Sequence, residues 1–283
     1  MADTRTTSGT MKALVQEGRG SADVLSVRDV PIPELAEGRV LVRMRAASVN
    51  ALDWHTTHGG RWLDLIAKVM RQRDDPVRGV ELSGVVEAIG PGVTRFKPGD
   101  EVFGGAPAAF AELVRAREAA LLPKPAAMSF EAAATIGVGG RTALQAIRDH
   151  AGVRPGQRVL IHGAGGGVGT YAVQIAKAMG ASVTAVTGPR NVDLIRTLGA
   201  DVVIDSSTDD VTRGSARFDA IIDIAATRSV ASLRRILAPG GVFVQVGAAK
   251  SGGWFGLFGR IASVMIRKRM FRQRTIFFIA NTS

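Results

Sequence analysis

Between His162 and Thr170 the chain runs Gly163-Ala164-Gly165-Gly166-Gly167-Val168-Gly169. Glycines packed this closely let the backbone turn tightly and bring peptide N–H groups against an anion, and a helix starting at the turn adds its positive end. The residues before it, Arg158-Val159-Leu160-Ile161, form a short apolar, β-branched run. After it, Ala172, Val173, Ile175, Ala176 and Met179 recur at helical spacing on one face. Strand, glycine turn and helix in that order make a cradle for a pyrophosphate. Gly163, Gly165, Gly166, Gly167, Val168 and Gly169 are therefore expected to contact a dinucleotide. A generic glycine-rich loop is the bland alternative, and the flanking strand and helix weigh against it.

The end of the next strand bears on which dinucleotide is bound. An acidic residue about twenty positions after the glycines would hold a ribose 2′-hydroxyl. Here Val183-Thr184-Ala185-Val186 runs into Thr187-Gly188-Pro189-Arg190, with no carboxylate to repel a 2′-phosphate. Arg190 can offer that phosphate paired N–H donors, so NADPH is the expected cofactor. Thr187 belongs to the same turn and is counted with the cofactor contacts. A solvated arginine at a helix start is the alternative reading of Arg190.

These residues need elements to position them, and the composition allows a large core. Of 283 residues, 46% are hydrophobic, enough for two domains. Cysteine is absent, which excludes disulfides, iron–sulfur clusters and thiolate zinc sites. Redox chemistry would have to be borrowed from a cofactor. The first ten residues form a polar tail without a signal core, and no long apolar run follows, so a cytoplasmic protein without a membrane span is expected. The formal charge of +11 could draw phosphate polyanions, but arginine is spread through every segment. The densest basic cluster, Arg267-Lys268-Arg269 with Arg272 and Arg274, lies between a glycine-rich stretch and an apolar strand, so specific nucleic-acid binding is not expected.

The first third reads as β-rich. Met11–Val15 and Leu25–Val30 look like a strand pair, Arg39–Ala46 alternates as a half-buried strand, and Val80–Ile89 closes on Gly90-Pro91-Gly92. Phe96-Lys97-Pro98-Gly99-Asp100 is a turn feeding another strand, and such short punctuated strands suggest a small barrel. Residues 61–73 have helical spacing. Ser129 caps a helix at Phe130, and a second helical stretch runs from Thr142 to His150, making a hinge between halves. From Val159 strands and helices alternate through Val183–Val186, Val202–Ile204, Ala220–Ile224, Val242–Val246 and Thr275–Ile279. That is the pattern of an α/β doubly wound parallel sheet.

Several spaced segments then agree in order: Ala47-Ser48-Val49-Asn50-Ala51-Leu52-Asp53-Trp54, Gly84-Val85-Val86-Glu87-Ala88-Ile89-Gly90, Phe96 to Gly104, the Gly163–Gly169 turn, and Leu198-Gly199-Ala200-Asp201. Together they resemble the medium-chain dehydrogenase/reductase superfamily, in its zinc-free, quinone-oxidoreductase-like branch. The resemblance covers nearly the whole chain from Met11. It implies a partly open, GroES-like β-barrel catalytic domain over 11–130 and a Rossmann cofactor-binding domain over 131–283, with the active site in the cleft between them.

Zinc members of that superfamily use a cysteine and the histidine of a Gly-His-Glu motif. The matching places here look like Asn50 and Val80, which supply neither ligand. His55 and His58 remain as a nearby pair, more in keeping with an ordinary surface than with a metal. Without a Lewis acid, reduction of an activated acceptor is favoured, because charge arriving on an oxygen can be met by hydrogen bonds. The resemblance implies that Asn50 lies beside nicotinamide and substrate, its amide donating to the developing oxyanion, and that Thr142 lies near the nicotinamide ribose or carboxamide. Asp53 and Trp54 would shape the pocket. A loop-capping amide, a helix cap, a salt-bridged acid and a core aromatic are the respective alternatives. Lys177 matches a lysine that contacts the 2′-phosphate in some relatives, whereas Ser206 stands where relatives often carry tyrosine. Gly247 and Phe278, at the ends of the fifth and sixth strands, complete the expected cofactor contacts.

The family's chain returns to its catalytic barrel after the sixth strand, and this sequence stops at Ser283. The expectation is that the return is missing, through truncation, a partner chain or a rearrangement. Function is therefore expected to be NADPH-dependent hydride transfer to a quinone or α,β-unsaturated carbonyl without metal. A zinc-free alcohol or aldehyde oxidoreductase, and a nucleotide-binding protein with little turnover, stay open. A small-molecule substrate and a homodimer are the expected partners.

Overall fold

The computed structural model describes residues 9–58, 76–246 and 273–278. In strand β1 (Thr10–Gln16) Met11, Ala13 and Val15 face inward while Lys12 faces out, and β1 pairs antiparallel with β2 (Leu25–Pro31). Thr10, expected in the polar tail, is instead the first paired residue, opposite Pro31. Strands β3 (Arg39–Ala46), β4 (Glu81–Ile89), β5 (Glu101–Gly105), β6 (Leu113–Arg117) and β7 (Leu121–Pro123) form an antiparallel sheet in the order β6-β3-β4-β5-β7. Val40, Val42, Leu82, Val86, Val102 and Leu121 share one core with Phe96. Each such buried side chain contributes about 1.5–3 kcal/mol, against at most about 1 kcal/mol for an exposed ion pair such as Lys12–Asp29. Apolar packing therefore decides the fold of this half.

The chain divides into two compact units between Val138 and Gly139, later than the expected boundary after Phe130. The reason is local. Ser129 caps the helix Phe130–Ala133 by accepting from Ala132 N, as expected, but Ser83 of β4 donates to the Phe130 carbonyl at 2.6 Å and Lys124 stands over the Phe130 ring. Those contacts tie the helix to the antiparallel sheet.

The second unit is built on six parallel strands: β8 (Arg158–His162), β9 (Ser182–Thr187), β10 (Val202–Asp205), β11 (Phe218–Asp223), β12 (Leu237–Val246) and β13 (Arg274–Phe278). Their order, β10-β9-β8-β11-β12-β13, reverses direction between β8 and β11, which is the doubly wound topology. Both faces are covered. Val159 and Ile161 join Ala172, Val173 and Ala176 of the helix Gly167–Ala178 on one side, with Ile175 and Met179 packed at its edge. Leu160 faces the other side with Ile221, Leu233 and Phe243. Strands buried on both faces read as continuous apolar runs, and these do.

Thr142 does not start its helix. It is the second residue of Arg141–Leu144, which follows helical backbone at Gly140 and continues through Gln145–Ala151. No helix among the described residues is long and apolar enough to cross a membrane. The expected helix over 61–73, Gly247, the basic residues Arg267, Lys268, Arg269 and Arg272, and Ile279 lie outside the described residues.

Candidate functional site

The glycine turn opens directly from β8. Gly163 has φ of +97°, and a Cβ there would sit 2.7 Å from the Ala225 nitrogen, so only glycine fits the turn. Its N–H and that of Ala164 both donate to the Val186 carbonyl, at 3.0 and 2.9 Å, which fastens the turn to β9. At Gly169 a Cβ would lie 2.3 Å from the Gly163 carbonyl oxygen, so the first turn of the helix presses on the loop behind it. Gly165 packs against Thr187 and Asn191, and the Asn191 amide donates to its carbonyl at 3.3 Å. Val168 follows in the same first turn and packs at the edge of the main core.

In front of Gly166 and Gly167 the space is open, with no atom nearer than 3.8 Å to a Cβ built at either. Gly166, just before the helix N-terminus, lines a groove of about 330 Å³ together with His162, Gly163, Gly165, Thr187, Gly188 and Asn191, among others. A second hollow of about 250 Å³ adjoins it and adds Asp209, Val211 and Arg228 to shared His162, Ser206 and Thr227. Approachable backbone donors at the positive end of a twelve-residue helix, on a groove at the carboxyl ends of parallel strands, fit a dinucleotide pyrophosphate.

The remaining expected cofactor contacts are placed less uniformly. Thr187 is buried and lines the groove. Arg190 is exposed on the turn Pro189–Asn191, between the groove-lining residues Gly188 and Asn191. Lys177 is already engaged: its Nζ lies 2.7 and 2.9 Å from the two carboxylate oxygens of Asp201. That hydrogen bond, with a second from the Val183 N–H, holds the Asp201 carboxyl below the usual range. Phe278 closes β13 opposite Val246.

At the point where strand order reverses, His162 ends β8 and Asp223 ends β11 in direct register. His162 Nδ1 meets Asp223 Oδ1 at 2.7 Å, and that oxygen also accepts from the Ala226 N–H at 2.9 Å. Both side chains are buried, yet His162 lines both hollows.

In the first unit, Asn50 precedes the helix Ala51–His58, and its backbone N–H donates to Asp53 Oδ2 at 2.7 Å. This is one half of a capping box. Burial pushes the Asp53 carboxyl up, the Asn50 N–H opposes that, and the charge of Glu81 adds to it. The Asn50 side-chain nitrogen donates to Glu81 Oε2 at 2.7 Å and has Ser48 Oγ at 3.1 Å. Glu81 is 1% exposed and accepts further from the Ser48 hydroxyl and the Val138 N–H. The amide is thus turned inward, which differs from the expected role as donor to a developing oxyanion. Trp54 is half exposed, with its ring against those of His55 and His58, and the His58 ring hydrogen-bonds the Trp54 carbonyl. Among the described residues no three His, Asp or Glu side chains converge as a metal set.

Glu81, His162 and Asp223 were not among the expected site residues. Each is a polar residue at one end of a strand, Glu81 before Leu82 and the others after Ile161 and Ile222. A charge that a strand carries into the core has to be satisfied there, and that was the available signal.

Comparison with known proteins agrees with this geometry. Residues 36–126 match the family described as Alcohol dehydrogenase GroES-like domain, and residues 167–277 match Zinc-binding dehydrogenase. The chain is 35% identical over 231 residues to the chloroplastic quinone-oxidoreductase QR1 of Triphysaria versicolor, covering 76% of this chain and 68% of that one. It is 38% identical over 243 residues to the mycoketide-CoA synthase of Mycobacterium tuberculosis, covering 81% of this chain but only 6% of that far longer protein. It spans 10% and 6% of two polyketide synthase relatives from Streptomyces orinoci and Streptomyces venezuelae. Among solved structures, the quinone oxidoreductase from Coxiella burnetii superposes with a TM-score of 0.83 at 30% identity, covering 97% of this chain and 84% of that one.

Proposed function

Because the chain belongs to the medium-chain dehydrogenase/reductase superfamily, in its quinone-oxidoreductase-like group, we propose that it is an NADPH-dependent oxidoreductase reducing a quinone or an α,β-unsaturated carbonyl without a metal. The observation that carries the reading is the glycine cradle at the reversal of strand order, open in front of Gly166 and Gly167. Those residues would hold the pyrophosphate, with Thr187 and Asn191 shaping the wall beside it. When bound, the nicotinamide supplies the hydride.

Preference for NADPH rests on the end of β9. Thr187-Gly188-Pro189-Arg190 brings no carboxylate to the turn, and Arg190 is exposed with no partner among the described residues, so its guanidinium can reach a 2′-phosphate. Lys177 contributes less, because Asp201 competes for it. The metal-free mechanism rests on donor chemistry. Val80 offers no ligand atom, and Asn50 supplies neither a thiolate nor an imidazole.

An activated acceptor suits such a site, since its reduction requires no base or metal to take an alcohol proton. The test is the initial rate of NADPH oxidation with a small quinone and with an enone, each with and without a chelator, beside NADP reduction by a panel of alcohols. The reading expects oxidation by the quinone or enone, unaffected by chelation. Turnover of alcohols alone, or activity lost on chelation and restored by zinc, would replace it.

A further inference from the structure

We propose that His162 is a specificity-determining residue for the dinucleotide: held by Asp223 through Nδ1, it turns Nε2 into the groove as a hydrogen-bond acceptor for an N–H or O–H donor on the adenosine half. This deepens the proposed function and rests on it in taking the groove to hold a dinucleotide.

His162 and Asp223 end neighbouring parallel strands in direct register, so their side chains leave the sheet on the same face. Leu160 and Ile221, two residues earlier on each strand, belong to the apolar core of that face. The pair therefore interrupts an apolar stripe at its carboxyl end, where well-packed apolar side chains would serve stability as well. His162 is 3% and Asp223 0% exposed. A carboxylate only accepts hydrogen bonds. Asp223 Oδ1 accepts from the Ala226 N–H at 2.9 Å and lies 2.7 Å from His162 Nδ1, so Nδ1 carries a proton. The uncharged ring then keeps its lone pair on Nε2. Among the described residues Nε2 meets only the Thr227 hydroxyl, at 3.5 Å, longer than a firm hydrogen bond. Because His162 lines both hollows, this under-used acceptor belongs to the wall of the groove.

The surroundings fix which part of the dinucleotide it meets. With the pyrophosphate at Gly166 and a 2′-phosphate at Arg190, the adenosine lies along the ends of β8 and β9. The second hollow continues from there, walled by Ser206, Asp209 and Val211 beyond β10 and by Thr227 and Arg228 beyond β11, with Val186 as apolar surface. No residue of β12 or β13 lines either hollow. Two groups of the adenosine half can donate to Nε2, the 6-amino group of the base and the 3′-hydroxyl of the ribose. A 6-oxo group in place of the amine would set two acceptors against each other, and a ribose without its 3′-hydroxyl would leave Nε2 unmet.

The test titrates the wild-type protein with NADPH, with its hypoxanthine analogue and with its 3′-deoxyadenosine analogue, in mildly alkaline buffer where imidazole is uncharged. At least one analogue should bind about tenfold more weakly than NADPH, the hypoxanthine analogue if the amine is the donor and the deoxy analogue if the hydroxyl is. His162→Asn keeps an N–H for Asp223 at the place of Nδ1 and removes Nε2. In that variant NADPH should bind about tenfold more weakly than in the wild type, and the discriminated analogue should now match it. A merely structural role for His162 would move the unfolding midpoint without erasing the discrimination between ligands.

Ring-nitrogen NMR of His162 gives a second readout. The free wild-type protein should show a proton on Nδ1 and none on Nε2, and the Nε2 resonance should shift when NADPH is added. Both analogues binding as tightly as NADPH, discrimination that persists in His162→Asn, or a proton on Nε2 in the free protein would overturn the inference and leave the proposed function in place. Failure of the wild type to bind any of the dinucleotides would overturn the proposed function and the inference with it. If His162→Asn does not fold, the analogue titrations and ring resonances of the wild type decide.

Discussion

His162 Nδ1 lies 2.7 Å from Asp223 Oδ1, and both side chains are buried where adjacent strands β8 and β11 end. His162 lines both hollows, so its bond to Asp223 links the packing of the parallel sheet to the shape of the groove. Asp223→Ala would leave the His162 ring and the Ala226 N–H without their buried acceptor. Leaving buried hydrogen-bonding groups without their acceptor costs about 1–3 kcal/mol. Urea unfolding should show a loss of that size for Asp223→Ala and a smaller one for Asp223→Asn, which keeps an acceptor. A loss under about 1 kcal/mol for Asp223→Ala would contradict the assigned role.

The glycines of the cradle should respond unequally to a methyl group. At Gly169 the added Cβ would meet backbone atoms at 2.3 to 2.6 Å, which cannot move without shifting the turn. At Gly167 nothing lies within 4 Å, and alanine is the better helix former. Gly169→Ala should cost about 1–3 kcal/mol by overpacking, and Gly167→Ala should cost none, both measured by chemical unfolding without cofactor. Equal effects at the two positions would show that the turn is not packed as described.

Asp53 predicts a pH dependence whose sign is fixed by its environment. Burial raises its carboxyl above the ordinary 3.8, so the folded chain holds that proton more tightly than the unfolded chain does. Relative stability from this group is full below the unfolded value and is lost as pH rises through the folded one. Asp53→Asn keeps an acceptor for the Asn50 N–H and removes the charge. The Asn variant should therefore gain on the wild type in unfolding free energy between acid and neutral pH. Asp53→Ala, which lacks the cap, should be less stable by about 1 kcal/mol. A difference between Asn variant and wild type that does not change with pH would sink the assignment.

Much of this was legible in the sequence because strand and helix periodicities differ. The continuous apolar run Val159-Leu160-Ile161 and the helical face of Ala172, Val173 and Ala176 announce a buried parallel strand and its crossover helix. The glycine turn was readable for the same reason, as punctuation between them. Partnerships were not. That Lys177 is held by Asp201, twenty-four positions later, and Asn50 by Glu81, thirty-one positions later, depends on strand pairing across the fold. The family resemblance, not local spacing, assigned Lys177 and Asn50 to ligands, and it carried no sign of the protein partner that each has here.

Arg190 and Lys177 should consequently differ in cofactor discrimination. Arg190→Ala should weaken NADPH by about ten- to a hundredfold, the worth of a charge-assisted hydrogen bond, and leave NADH nearly unchanged. Lys177→Ala should do less to NADPH affinity, since its ammonium spends its charge on Asp201. Fluorescence titration of both cofactors checks this. Equal weakening of NADPH and NADH by Arg190→Ala would remove Arg190 from the 2′-phosphate site.

The central claim, that the cradle between β8 and the helix Gly167–Ala178 holds NADPH for reduction of an activated acceptor, is tested most directly by single-turnover mixing. Protein preloaded with NADPH is mixed with a small quinone or enone in the presence of a chelator, and the reduced-nicotinamide absorbance is followed. The account predicts one equivalent of NADPH oxidised per binding site, faster than with preloaded NADH. NADPH that stays reduced with every acceptor, or is oxidised only once zinc is supplied, would contradict it.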